Sequence, residues 1–140
     1  MLKRLLLVAI MIALMPAMTP RLGAQTRPNI VLIVADDLGY GDLGSYGATD
    51  IKTPNLDRLA AEGVLFEQAI TSVPLTLPAH STLFTGLLPP RHGVRDNGGF
   101  VVPPELVTMA ESFQARGYDT AAFVAAYVLD GKWGLDQGFD

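Results

Sequence analysis

The stretch "NIVLIVADD" (Asn29–Asp37) limits what this chain can fold into more than any other. Six consecutive apolar or β-branched residues leave no polar side to face water. Such a run reads as a strand covered on both faces, the kind found in parallel sheets. Two carboxylates close it, at the point where a strand of an open α/β sheet hands over to its loop. Ligands bind at that carboxyl end. Adjacent carboxylates repel, and enclosing both is costly unless a cation neutralises them. Asp36 and Asp37 therefore read either as an oxygen-donor site for Ca²⁺, Mg²⁺ or Mn²⁺, or as a solvated pair in a turn with Asp36 capping.

Downstream, helical and strand-like segments alternate. "LGYGDLGSYG" (Leu38–Gly47) is too glycine-rich for a regular element. "TPNLDRLAAEG" (Thr53–Gly63) predicts a helix, with Thr53 as N-cap, Pro54 at its first position, Leu56, Leu59 and Ala60 on one face, and Gly63 as its stop. Val64–Thr71 is a second strand candidate. A short helix is expected from about Ala79 to Phe84, and "GLLPPRHGVRDNGGF" is expected to be loop. "PELVTMAESFQARG" predicts another helix, with Leu106, Met109, Ala110 and Phe113 on one side and Gly117 as its stop. "YDTAAFVAAYV" is a third strand candidate, and Leu129–Asp140 reads as loop. This alternation argues an α/β fold with a mainly parallel sheet, whose edges something must cover.

The first residues stand apart. Lys3 and Arg4 precede an apolar run from Leu5 to Met15; Pro16 and Pro20 break it, and "LGA" (Leu22–Ala24) offers small residues before a cut after Ala24. Residues 1–24 thus read as a secretory signal peptide, the run being too short for a membrane span of ~20 residues. With no cysteine there is neither a lipid anchor nor a disulfide framework on this reading. Removing Lys3, Arg4 and Arg21 from the 10 basic residues leaves 7 against 14 acidic ones, a net of −7. A nucleic-acid footprint is absent. The expectation is an exported protein, periplasmic or secreted, with no span after cleavage.

"TLPAHSTLFTG" (Thr76–Gly86) carries the remaining chemistry. Pro78 favours a helix start, so the Thr76 hydroxyl falls near a helix N-terminus, where N–H groups and the dipole favour an anion such as a sulfate or phosphate ester. A threonine hydroxyl attacks only when a base or a metal lowers its pKa. The stretch by itself favours a plain N-cap at Thr76.

Taken together, "RPNIVLIVADDLGYGDLGSYG", "TPNLDRLAAEGVLFEQAIT", "PAHSTLFTGLLPPRHGV", "ARGYDTAAF" and "GFD", in that order, resemble the N-terminal part of the sulfatase family in the alkaline phosphatase superfamily. The resemblance covers nearly all of residues 27–140. It implies an alkaline-phosphatase-like α/β sandwich, with residues 25–140 as the N-terminal part of the catalytic domain and the remainder beyond residue 140. It implies a divalent metal on Asp36 and Asp37, Ca²⁺ foremost and Mg²⁺, Mn²⁺ or Zn²⁺ as alternatives. It implies an anionic sulfate or phosphate ester as substrate. In the family's Cys/Ser-x-Pro-x-Arg motif, Thr76 takes the place of the residue converted to formylglycine, Pro78 that of the proline and His80 that of the arginine. Thr76 would then attack directly and also meet the metal. The Thr-x-Pro-x-His pattern, Thr85-Gly86, His92-Gly93 and Asn97 are similar to the nucleotide pyrophosphatase/phosphodiesterase group, which implies Asn97 as an oxyanion donor. Asn97 before Gly98 is also an ordinary turn pair.

His80 either contacts the bound anion or packs. Arg91 and Arg95 either bind an anionic substrate or are solvated. "GKWG" (Gly131–Gly134) matches the family's Gly-Lys-Trp-His in Lys132 but has Gly134 in place of the histidine. The readings carried forward are a metal-dependent sulfate ester hydrolase, a phosphodiesterase or phosphoryl transferase of the same superfamily, and a non-catalytic exported relative that binds anions or glycans. Residues 1–140 alone are expected to be inactive and poorly stable.

Overall fold

The computed structural model describes residues 27–140; the leader expected over residues 1–24 lies outside them. The chain divides into two compact units, residues 1–34 and 35–140. Of the first, residues 27–34 are described: they form no regular element and expose Ile30 through Val34.

The second unit is built from short helices. Two 3₁₀ turns, Tyr40–Asp42 and Gly44–Tyr46, precede α1 (Pro54–Glu62). Then come α2 (Thr76–Thr85), α3 (Pro89–His92) and α4 (Met109–Gln114), and two more 3₁₀ turns, Tyr127–Leu129 and Gly131–Trp133. Among the described residues no helix is long and apolar enough to cross a membrane.

No strand is present among the described residues, so the parallel sheet expected from Asn29–Asp37, Val64–Thr71 and Tyr118–Val128 is not formed there. A strand exists only when its N–H and C=O groups find a ladder partner. No ladder forms along these segments among the described residues, and several of their large side chains face outward: Ile70 is 91% and Phe123 99% exposed. The continuous apolar pattern encodes a need for cover on both faces; it does not encode that the cover comes from this stretch.

The helix expectations are met with shifted boundaries. α1 starts at Pro54 as expected, but the Thr53 side chain makes no cap bond. Leu56 and Leu59, expected on one apolar face, are exposed. α2 begins at Thr76 itself, three residues earlier than expected, with Leu75 at the N-cap. Thr76 is therefore the first helical residue, which overturns its reading as a cap. The expected loop after Gly86 contains α3, initiated by Pro89 and Pro90 and closed by Gly93 at φ +82°. α4 is shorter than the pattern suggested because Thr108 and Glu111 form a capping box that fixes its start: the Thr108 hydroxyl accepts from the Glu111 N–H, and Glu111 accepts from the Thr108 N–H.

The core is small. Leu77, Val94, Val102 and Leu135 form its buried centre, flanked by Phe84, Phe100, Val128, Leu129 and Trp133. α2 contributes Leu77 from its first turn, so the residue beside Thr76 is anchored in the tightest part of the unit.

Candidate active site

The site grows from the mouth of α2. An α-helix leaves its first N–H groups without partners inside the helix. Here Pro78 has no N–H, and the Leu77 N–H donates to Asn97 Oδ1 at 2.8 Å. Asn97, 20 residues further on, is a remote cap. This bond also orients the amide: with Oδ1 accepting, the other end of the group is the Nδ2 donor. The expectation that the helix mouth itself would hold an anion is thereby modified. One of its N–H groups is taken, and a side-chain amide is brought to the same place.

The Thr76 hydroxyl donates to Asp36 Oδ1 at 3.3 Å, across 40 residues of sequence. Thr76 is half-buried, whereas Asp36 and Asp37 are exposed in the bend that follows the apolar run. Asp37 has φ +53° and is the only non-glycine residue among those described in the left-handed region. Aspartate tolerates that conformation better than most residues, and such outliers gather at functional sites.

The loop after the acid pair is tied down. The Gly39 N–H donates to Asp42 Oδ2 (2.8 Å), the Gly44 N–H to Thr53 Oγ1 (2.8 Å) and the Ser45 N–H to Asp57 Oδ1 (2.7 Å). Thr53 in turn donates to Asp57 at 2.9 Å. A Cβ on Gly44 would come within 2.5 Å of Asp57 Oδ2, so a larger residue there would have to displace the Asp57 carboxylate. Asp57 was not singled out from the sequence. Its spacing of four from Thr53 was the available clue, but that spacing is common on helices.

His80 sits one turn into α2. Its Nδ1 lies 2.7 Å from the Thr76 carbonyl oxygen. A carbonyl only accepts, so Nδ1 carries a proton and Nε2 is the nitrogen left for other chemistry. The ring tilts toward Phe84, with centroids 6.5 Å apart. His80 is thus joined to Thr76 through the backbone. Arg91 and Arg95 are exposed. Lys132 lies with Nζ 3.6 Å from the Tyr127 ring centroid and 5.3 Å from that of Trp133, a cation held on aromatic faces.

His92 is fully buried, and sequence reasoning gave it no role of its own. Nδ1 accepts from the Val94 N–H at 3.1 Å, and Nε2 lies 3.1 Å from Thr82 Oγ1. Thr82 continues to Ser72 Oγ at 3.3 Å. Burial disfavours the imidazolium and pushes the His92 pKa below its ordinary 6.5, opposed in smaller part by its backbone hydrogen bond.

Among the described residues no three His, Cys, Asp or Glu side chains gather where they could hold a metal. The donors at hand are the Asp36 and Asp37 carboxylates and the Thr76 hydroxyl. All are hard oxygen ligands, which fits Ca²⁺, Mg²⁺ or Mn²⁺ better than Zn²⁺. A cavity of about 600 Å³ near Val124, Tyr127, Asp130 and Phe139 includes none of these residues.

Comparison with known proteins gives a consistent result. The family model described as Sulfatase matches residues 28–138. The chain is 44% identical over 133 residues to human arylsulfatase A, covering 90% of this chain and 24% of that protein. It is 44% identical over 122 residues to mouse steryl-sulfatase (80% and 18%). It is 40% identical over 116 residues to an N-acetylgalactosamine-6-O-sulfatase of Bacteroides thetaiotaomicron (80% and 21%). Among solved structures, a 2-O GAG sulfatase is similar with a TM-score of 0.65 and 28% identity, covering 75% of this chain and 23% of that one. The chain thus spans about a fifth to a quarter of the length of these relatives.

Proposed function

Because this chain belongs to the sulfatase family, we propose that its protein is an exported, metal-dependent hydrolase of sulfate or related phosphate esters that uses Thr76 as its nucleophile. The observation that carries the reading is the hydrogen bond from the Thr76 hydroxyl to Asp36 Oδ1. It sets the attacking oxygen against the carboxylates best suited to a cation.

A divalent cation on Asp36 and Asp37 would lower the pKa of a nearby hydroxyl and offset the charge of the ester oxygens. Water, substrate oxygens and residues outside those described would complete its ligands. The chain's own residues do the rest. Thr76 Oγ gives up its proton on the Asp36 side and attacks sulfur or phosphorus in line; the ester bond breaks, the departing alkoxide takes up a proton from solvent and leaves as the alcohol, and a covalent Thr76 ester remains. Asn97, its Oδ1 held by the Leu77 N–H, directs Nδ2 to a non-bridging oxygen as charge develops. His80 stiffens the first turn through the Thr76 carbonyl. Water then attacks the central atom of the Thr76 ester and frees the acid, and Thr76 Oγ recovers a proton.

One observation favours phosphorus as a second reading. A formylglycine hydrate can expel sulfate through its second hydroxyl; Thr76 has one hydroxyl, so its ester must be opened at sulfur or phosphorus. The test uses the full-length protein with 4-nitrophenyl sulfate, 4-nitrophenyl phosphate and bis(4-nitrophenyl) phosphate. Turnover of at least one is expected, with loss on chelation and recovery with Ca²⁺, Mg²⁺ or Mn²⁺. Thr76→Ala should lower kcat by about 10³-fold or more, as removal of a nucleophile does. Full activity of Thr76→Ala removes the mechanism; no turnover together with no stoichiometric cation favours the non-catalytic relative.

A further inference from the structure

We infer that His92 is a positioning residue for the ester site: a neutral, Nε2-protonated imidazole that fixes the turn carrying Asn97. This rests on the reading above, in which Asn97 serves the Thr76 ester.

The tautomer follows from the partners. The Val94 N–H can only donate, so Nδ1 must be the bare acceptor. A neutral ring then carries its proton on Nε2 and donates it to Thr82 Oγ1. Thr82 Oγ1 in turn lies within hydrogen-bonding distance of Ser72 Oγ. One fully buried ring therefore ties together the segment before α2, the middle of α2 and the exit from α3. Val94 is itself fully buried and belongs to the core with Leu77. Three residues after Val94 comes Asn97, which returns to the Leu77 N–H. The circuit closes on the first turn of α2: His92 holds Val94, Val94 and Leu77 share one core, and Asn97 spans the gap. Only a ring with an acceptor at Nδ1 and a donor at Nε2 serves both ends. The Nδ1 contact faces the Asn97 turn; the Nε2 contact faces the helix body.

The two ends can be separated by substitution. The side-chain amide of His92→Asn can put its oxygen where Nδ1 was and keep the Val94 contact. The amide of His92→Gln can put its nitrogen where Nε2 was and keep the Thr82 contact. Measured on full-length protein with the best of the three aryl esters, His92→Asn should stay within about threefold of wild-type kcat. His92→Gln should lose about tenfold in kcat with KM little changed. In an Asn97→Ala background, His92→Gln should cost nothing further, because a residue that acts through Asn97 has nothing left to position. Thermal melts of both single variants show whether each is folded. Equal losses in His92→Asn and His92→Gln, or a full tenfold loss from His92→Gln on top of Asn97→Ala, would overturn the assignment and leave His92 a packing residue. Failure of the underlying reading is distinct: there Thr76→Ala keeps its activity whatever His92 does.

Discussion

Asp37 combines two demands that different side chains meet separately. Its backbone sits at φ +53°, where asparagine is also at ease and a β-branched residue is not. Its carboxylate is the second charge of the acid pair. Asp37→Asn should keep the fold and weaken Ca²⁺ or Mg²⁺ binding tenfold or more. Asp37→Val should weaken binding similarly and also lower stability by about 1–2 kcal/mol through backbone strain. Isothermal titration with each cation, beside urea unfolding, separates the two effects. Sequence alone could mark this residue, because two acids after an apolar run are visible in one dimension. It could not mark the positive φ, which aspartate adopts only in a minority of settings. His92 is the opposite case. Its letter is plain, but its meaning lies in Val94, Thr82 and Ser72, and nothing in their spacing announces a shared ring.

The helices show how local signals set boundaries when they are strong enough. Thr108-x-x-Glu111 is a readable capping box, and it overrides the wider apolar pattern that would have begun α4 earlier. α2 offers no such marker: its cap is supplied from Asn97, beyond α3, so neither its true start at Thr76 nor the amide bond could be read locally. That remote cap makes a sharp prediction. Asn97→Asp retains an oxygen for the Leu77 N–H and should melt within a few degrees of wild type. It removes the Nδ2 donor and adds a negative charge beside an anionic substrate, so kcat should fall about 10²-fold, the cost of losing an oxyanion donor. Asn97→Ala should lose activity and also about 1 kcal/mol, as cap removal does. Equal activity of Asn97→Asp and wild type would take Asn97 out of the chemistry. That the strand candidates form no strand among the described residues has a complementary reason. Val64–Thr71 and Tyr118–Val128 have suitable residues, but a sheet is a property of several segments at once.

At the scale of the whole molecule, large apolar side chains remain exposed among the described residues. Val31, Ile33, Ile70 and Phe123 are largely exposed, and the chain spans a fifth to a quarter of the relatives it matches. The buried part is centred on Leu77, Val94, Val102 and Leu135; His92 is also fully buried and accepts from the Val94 N–H. Its pKa lies below the ordinary 6.5 because burial opposes the charge. The unfolded chain takes up this proton near 6.5; the folded chain does so only at lower pH. Between those values the unfolded state holds more protons, so the contribution is complete above about 6.5 and shrinks as pH falls through the window beneath it. Urea midpoints at pH 7.5 and pH 5.5 should differ in the wild type and converge in His92→Asn, which has no ring to protonate.

The turn Gly131–Trp133 holds the chain's sole tryptophan. Its carbonyl accepts from the Val102 N–H at 2.9 Å, and its indole N–H donates to the Tyr127 carbonyl at 3.0 Å. Val102 shares the core with Leu77, the residue next to Thr76. Indole emission is therefore a built-in optical gauge of the floor beneath Thr76, readable in a cuvette without any attached dye.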